Sequence, residues 1–430
     1  MVLLCLCLTA GAQEGWTLSQ CIDYALQHNL SVKQTELNVS QRQVELNTAR
    51  NSMLPGVSAS GSQNFSFGRG LTADNTYANT NTTNTSLSLG ASMMLFNGMK
   101  TSNNIAMSRL NLEAATADLE KARDDIRVAV AQAYVQILYD MEICDVAAEQ
   151  VGIDSLQLFR LEEMASNGKC SNAEVAAQRA SLAQSRLTAV QADNNLALAL
   201  LELTQLLELP TPEGFTIVRP DDDCMQAALL RNPDDIYREA IGIKPSVKAE
   251  ETRLEVADRN IALAKGDYLP TLSLSGGLGT NYYTSSGYNY SKFFEQLGNN
   301  FSQYVGLSLN IPIFSRMSVR NNVRSAQLSY DNQKLQLDNV KKGLYKEIQQ
   351  AYYNALAAQG KYESSSVAAE SAREAFDLMQ AKYENGKANI TEFNESKNQY
   401  MKAESDLTQA RYEYLYLGKI LDFYRGVELR

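Results

Sequence analysis

The feature that most constrains this chain is that it contains itself twice. SVKQTE, starting at Ser31, returns as SVKAEE at Ser246, and the register holds through Leu54-Pro55 and Leu269-Pro270. LFNGMKTSNNI at Leu95 then matches IFSRMSVRNNV at Ile313, and AQAYVQIL at Ala131 meets QQAYYNAL at Gln349. The same offset still holds at SNGKCSNAE (Ser166) and ENGKANITE (Glu384). A match without gaps over so long a helical stretch demands helices of equal length in both halves. We therefore expect two structural repeats, at 13–220 and 221–430.

Each repeat changes its period in the same places. A helical run over roughly 17–50, with Thr17 or Ser19 as its cap, stops at Leu54-Pro55, because proline disfavours helix in the residue before it. Strict alternation follows: Ser58, Ser60, Ser62, Asn64 and Ser66 are polar, while Val57, Ala59, Phe65 and Phe67 lie between them. Period two marks a strand with one wet face and one dry face. Strands are expected near 57–67 and 86–96 in repeat 1, and near 271–282 and 304–314 after Leu269-Pro270 in repeat 2. Leu87, Leu89, Ala91, Met93 and Leu95 form one face of the second, and Ser86, Ser88, Gly90 and Ser92 the other. Leu272, Leu274 and Leu278 alternate with Ser273, Ser275 and Gly277, and Val305 to Ile313 with Gly306, Ser308, Asn310 and Pro312. The intervening stretches GRGLTADNTYANTNTTNT and NYYTSSGYNYSKFFEQLGNN read as exposed turns.

About ten residues is what a tilted strand needs to cross a bilayer. A soluble sandwich also alternates, but its wet face carries Lys and Glu rather than Ser, Gly and Asn. Four strands cannot close a membrane barrel, for which about eight is the working minimum. An open edge in lipid would leave backbone groups unsatisfied. Membrane-spanning strands here would therefore have to be shared among chains, and three chains give twelve.

After each second strand the sequence turns helical, without a proline from Pro55 to Pro210 or beyond Pro312. Long helical hairpins are expected at 100–208 and 318–424; a run of about 65 residues is a rod of roughly 100 Å. Asn167-Gly168 and Asn385-Gly386 stand where left-handed caps reverse one helix into the next. Ala173, Ala176, Ala177, Ala180 and Ala183 would let the rods approach closely. Between the repeats, the stretch from Pro210 to Pro245 holds five of the eight prolines and the acidic run Asp221-Asp222-Asp223, read as a solvated start to a short helix near 223–240.

Composition excludes several functions. Against 39 Lys and Arg stand 49 Asp and Glu, a net charge of −10 with no basic stripe, which argues against nucleic-acid binding. The six cysteines contain no C-x-x-C pair, and nothing groups Cys, His and Asp at metal-ligand spacing, so no metal or cofactor is expected. One histidine, His28, offers little acid–base chemistry, and GGLG at Gly276 lies inside an alternating strand rather than before a helix, so no enzyme is expected. MVLLCLCLTAGA at 1–12 reads as a signal peptide, clipped at its start, with cleavage before Gln13. Cys21 after Gln20 fits a lipidation site poorly.

The ordered set of paired LPxxSxSG segments, LSLNIPIFSRMSVRNNV from Leu307 and YENGKANITEFNESKNQYMKAESDL from Tyr383 resembles the TolC-like outer membrane efflux protein family over essentially the whole mature chain. The resemblance implies a mixed α and β membrane protein: a homotrimer whose twelve-stranded β-barrel, four strands per chain, stands in the outer membrane lipid and continues into a periplasmic α-helical coiled-coil tunnel. It implies an exit duct for efflux or type I secretion, docked to a periplasmic adaptor and an inner-membrane transporter of the resistance-nodulation-division or ABC type. It also implies an acidic aperture past the second hairpin turn, at Glu392 and Glu395, three apart and on one helix face. Threefold symmetry would make two carboxylate rings able to gather cations and bind multivalent blockers. Tyr383 and Glu174 occupy the family's closing contact, but Ala388 replaces its arginine, leaving Lys387 or Lys169 as substitutes. A non-conducting envelope scaffold is the alternative function.

Overall fold

The computed structural model describes residues 15–71, 75–219, 231–286 and 288–429. The expected leader over 1–12, the acidic run Asp221–Asp223 and Cys5, Cys7 and Cys224 lie outside them. The order of elements is α1 (Leu18–His28), α2 (Leu30–Asn51), β1 (Gly56–Leu71), β2 (Tyr77–Asn97), α3 (Lys100–Ser166) and α4 (Asn172–Leu206), followed by α5 (Pro233–Ile243), α6 (Pro245–Lys265), β3 (Thr271–Ser285), α7 (Phe293–Asn299), β4 (Ser302–Asn310), α8 (Ser318–Glu384) and α9 (Ile390–Tyr424). Helices α3 and α8 have 67 residues each, and α4 and α9 have 35 each. Both hairpins thus begin, turn and end at matching positions: 100 and 318, 166 and 384, 172 and 390, 206 and 424.

The single helix expected over 17–50 is two. Asn29 leaves the helix at φ −58°, ψ 130° while its N–H still bonds the Ala25 carbonyl at 2.8 Å. Its side-chain oxygen accepts from Ser31 N–H at 2.9 Å, capping α2, and its amide donates to the Leu206 carbonyl at the end of α4. The second repeat breaks at the equivalent Lys244 (φ −69°, ψ 125°), as the following Pro245 requires. There the ammonium takes over the amide's task, donating to the Phe423 carbonyl at 3.2 Å and lying 3.8 Å from the Phe423 ring centre.

The described residues fall into two compact units. The first comprises those of 1–37, 117–248 and 338–430. Its largest core joins Cys21 and Ala25 of α1 to Val130 and Ile137 of α3 and Leu203 of α4, all nearly or fully buried. Trp16 bridges to Ile217, and the Tyr134 hydroxyl donates to the Val218 carbonyl at 2.7 Å, holding the residue pair before α1 against the residues after α4. Burial pushes the Cys21 thiol and the Tyr134 hydroxyl each up to about 12.

The second unit, 38–116 and 249–337, contains one antiparallel sheet in the order β1-β2-β3-β4. Its strands differ in length from expectation. β1 and β2 run on through most of the stretch read as a turn, pairing without interruption from Gly56 opposite Ser92 to Leu71 opposite Tyr77. The run from Tyr77 to Thr85 is rich in threonine, which suits a pleated surface even where no apolar alternation announces it. β4 stops at Asn310 because Pro312 has no N–H for the ladder, so Ile311 and Ile313 fall outside it. A bulge at Leu95 replaces it by Phe96 opposite Leu272. Beyond Gly279, where β4 ends, the free edge of β3 is covered by α7: Gln296 Oε1 accepts from Tyr283 N–H at 3.0 Å and Asn300 Nδ2 donates to the Asn281 carbonyl at 2.7 Å.

At the foot of the sheet the two repeats touch through glycine. Gly98 has φ +65°, and a Cβ there would stand 2.3 Å from the Gly266 carbonyl oxygen. Lys100 and Asp267 form an ion pair beside this contact.

Candidate functional site: the sheet wall and the hairpin tip

The register converts the alternation into continuous rows. Ala59, Leu89, Leu278 and Gln303 lie side by side, as do Val57, Ala91, Gly276 and Val305. Met93, Leu274 and Leu307 form the next row, and Phe96, Leu272 and Leu309 the last. With Gly61, Leu87 and Thr280 at the other end, the apolar face extends about 27 Å along the strands. Phe65 and Phe67 share this face but lie beyond its apolar rows, opposite Thr83 and Asn81.

The other face carries small polar residues. Ser60 and Ser88 face each other with their hydroxyl oxygens 2.7 Å apart, beside Gly279 and Ser302. Ser92, Ser275 and Gly306 form another row; Tyr304 lies across Gly277, where a Cβ would come within 2.8 Å of the ring. The apolar face is open: Val305 is 83% exposed and Leu307 67%. Beyond β4 and on the outer side of β1, no described strand completes the ladder. Among the described residues no helix is long and apolar enough to cross a membrane.

The helical unit holds the tip. Gly168 and Gly386 adopt φ +70° and +68°. Around them the same pair of bonds recurs: Gly168 N–H to Ala165 O at 2.9 Å with Lys169 N–H to Met164 O at 2.8 Å, and Gly386 to Tyr383 at 2.9 Å with Lys387 to Lys382 at 2.8 Å. These are the bonds that terminate a helix on a left-handed residue, and Asn167 and Asn385 reinforce them by donating to the Glu163 and Ala381 carbonyls. Lys169 and Lys387 remain exposed.

The next helices start on side-chain caps. The Ser171 hydroxyl accepts from Glu174 N–H and donates to its carboxylate at 3.1 Å. Asn389 and Glu392 form a reciprocal box, with bonds of 2.9 and 3.0 Å, so the Glu392 carboxylate is folded back on its own backbone. Glu395, one turn on, is exposed beside a groove of about 630 Å³ also lined by Asn398 and Lys402. The Tyr383 ring stacks on Phe393 at 5.0 Å, and its hydroxyl pairs with Gln157. Burial raises the Tyr383 pKa, and the nearby Glu174 carboxylate raises it further. Tyr383 and Glu174 are thus brought near each other, but each has another hydrogen-bond partner.

A buried polar layer lies in the seam of these helices and was missed in the sequence. Asp154 of α3 pairs with Lys397 of α9, their side chains 0% and 1% exposed. The carboxylate also accepts from Ser185 and Gln178 of α4, the latter at 3.0 Å, and from Gln150 at 2.9 Å. The ammonium and these donors hold the Asp154 pKa below the usual carboxylate range in spite of its burial. The signal was available: Ile390, Phe393, Lys397 and Tyr400 are spaced three and four apart, as are Gln150, Asp154, Gln157 and Leu161, so charged residues occupy core positions of heptads.

The model of the family described as "Outer membrane efflux protein" matches residues 21–208 and 236–416. The chain belongs to the outer membrane efflux protein family. The two matched segments are the two repeats. Its curated relatives include Protein CyaE of Bordetella pertussis, 25% identical over 353 residues (82% of this chain, 72% of that protein). Outer membrane protein TolC of Escherichia coli is 24% identical over 389 residues (86% and 74%). Among solved structures, CusC superposes with a TM-score of 0.80 at 17% identity, covering 97% of this chain and 95% of that one. VceC of Vibrio cholerae gives 0.77 at 17% identity, covering 96% and 97%. These superpositions establish the fold of long helices and four antiparallel strands; family membership makes the chain an outer membrane channel protein whose helices lie in the periplasm.

Proposed function

We propose that three copies of this chain close one twelve-stranded barrel in the outer membrane and form a passive exit duct. Substrates enter it from a periplasmic adaptor coupled to an inner-membrane transporter of the resistance-nodulation-division or ABC type. The observation that carries this reading is the four-stranded sheet with two open edges and a bare apolar face. The open edges are not stable in lipid unless further strands complete the ladder, and the apolar face is not stable in water unless lipid covers it. In the closed barrel the Leu89 and Leu274 rows face lipid, and the Ser60, Ser88 and Ser275 rows line water. The names borne by relatives, CyaE and TolC among them, fit either secretion or efflux.

Within that duct, Leu54-Pro55 and Leu269-Pro270 switch periplasmic helix to membrane strand, and Asn167-Gly168 and Asn385-Gly386 form the periplasmic tips. Glu395, exposed one turn into α9, supplies a ring of three carboxylates at the aperture, and Glu392 a second ring when released from its cap. Tyr383 and Glu174 contribute to closing it. Residues 1–12 direct export, and 13–220 and 221–430 are the two repeats. Planar-bilayer recording of purified trimers tests the duct: stepwise, cation-preferring conductance is expected, and its absence would favour the scaffold instead.

A further inference from the structure

The two open edges of the sheet are unequal. β1 has 16 residues and β4 has 9, so pairing β4 of one copy with β1 of the next leaves seven residues of β1 without a strand partner. Matching the apolar faces across such a seam restricts the register to steps of two. With the feet level, Asn310 beside Gly56, β4 ends at Ser302 opposite Asn64, and β1 runs on alone from Phe65 to Leu71. One step higher, it runs on alone from Phe67. Either way an outer stretch of ladder has no strand to complete it.

On the other side of that seam the same height is held by α7, which directly precedes β4 in the chain. Its polar side already stands in for a strand on β3. Gln296 and Asn300 satisfy Tyr283 N–H and the Asn281 carbonyl, and the Leu297 carbonyl accepts from the Thr280 hydroxyl at 2.6 Å. The Phe293 ring meets Tyr282 edge-on at 4.9 Å. Phe294 is two residues from the buried Gln296, hence on the opposite side of the helix, and is 83% exposed. Gly298 and Phe301 follow it at intervals of four and three and so extend the same side. Phe301 is exposed, and a Cβ at Gly298 would meet nothing within 4 Å. The result is a bare apolar strip with a notch between two rings.

The outer end of β1 offers the complement. Phe65 and Phe67 are exposed on the apolar face although its rows stop short of them. Tyr282, which carries Phe293, lies on that face too, in the row of Gln63 and Thr85. Arg69 is the only charged residue from Phe65 to Leu71, and Glu295 is the only one in α7.

We propose that α7 docks on the outer end of β1 of the next copy, with Phe294 and Phe301 against that copy's Phe65 and Phe67 and Glu295 near its Arg69. One side of α7 then covers β3 of its own chain and the other covers β1 of its neighbour. The occupant is a second copy of this chain because the bare stretch begins where the pairing of β4 with β1 stops. The docking rests on the reading that three copies share one barrel.

The test is cross-linking of the purified full-length protein carrying Phe294→Cys together with Phe65→Cys or Phe67→Cys. Each sample is checked for trimers on a native gel, treated with a short bismaleimide and run on a denaturing gel. The wild type and the single variants give the background from the native cysteines. At least one pair should convert monomer to covalent dimer and trimer severalfold above that background. If a phenylalanine variant fails to assemble, Glu295→Cys with Arg69→Cys gives the same reading. Native trimers that stay uncross-linked in every pair would mean that lipid covers the rings, overturning the docking while the duct stands. A wild type that forms no trimers in lipid would refute both.

Discussion

Ser88 and Leu89 are neighbours on β2, yet the register sends them to opposite faces: Ser88 beside Ser60 and Gly279, Leu89 beside Ala59 and Leu278. Arginine at each position is therefore a sharp test of which face meets lipid. Leu89 lies one row from the middle of the apolar face, where an arginine directed at lipid costs about 2–4 kcal/mol. With three chains in the proposed barrel, Leu89→Arg should cost the trimer about 6–12 kcal/mol, comparable to the whole stability of an ordinary folded domain. Ser88→Arg should carry no such cost, because its neighbours are Ser60 and Gly279 on the face proposed to line water. The assay is folding of the purified chain into lipid vesicles, followed by trimer mobility on a native gel and by bilayer recording. Leu89→Arg should fail to insert or assemble. Ser88→Arg should assemble, with a lower conductance and reduced preference for cations from three added positive charges. Equal assembly of the two variants, or failure of Ser88→Arg alone, would refute the assignment of the faces.

Gly386 and Gly98 share nearly the same positive φ but not the same space. Gly386→Ala, with nothing within 4 Å, should lose only the left-handed penalty of roughly 1–2 kcal/mol. Gly98→Ala must also displace the Gly266 carbonyl, at about 1–3 kcal/mol more; equal shifts in thermal melting would contradict this. Lys244→Met removes the ammonium that caps α9 and pairs with Asp124, so the described C-terminal residues after α9 should become protease-sensitive, while the wild type resists. Raising the pH should also destabilise the fold. Cys21 and Tyr134 ionise in the unfolded chain near their ordinary values of 9.0 and 10.0 but are held up to about 12 when folded. Their contribution is therefore complete below pH 9 and declines as the pH climbs toward 12. Melting temperatures measured across that range should fall, and Cys21→Ala should flatten the early part of the decline.

Much of the fold was legible because the punctuation was chemical. Asn167-Gly168 and Asn385-Gly386 named the turns, since little else takes φ near +70° cheaply. Leu-Pro marked the end of helix, and alternation assigned the faces row by row. Strand length was harder. The Asn- and Thr-rich run before Ser86 lacks apolar alternation, so its pairing depends on β1 rather than on itself. The break at Asn29 was hidden for a similar reason: nothing in the local pattern says that its side chain would cap one helix and bind the end of another. At the tip, the carboxylate of Glu392 was visible, but its engagement with Asn389 became clear only once α9 had a definite first residue. Lys397 was overlooked because a lone lysine reads as solvated unless its neighbours are counted in heptads.

The paired lengths of the hairpins, 67 with 35 residues in each, limit how such a chain can change its reach. A residue inserted into α3 alone would rotate everything beyond it by about 100° and turn Asp154 away from Lys397. A whole heptad would restore the rotation, but it would leave Asp154 one layer out of step. To lengthen the periplasmic helices while keeping the layer intact, heptads must enter α3, α4, α8 and α9 together at equivalent positions. The internal duplication thus acts as a molecular ruler, and adjusting it to an envelope of different depth calls for four coordinated edits.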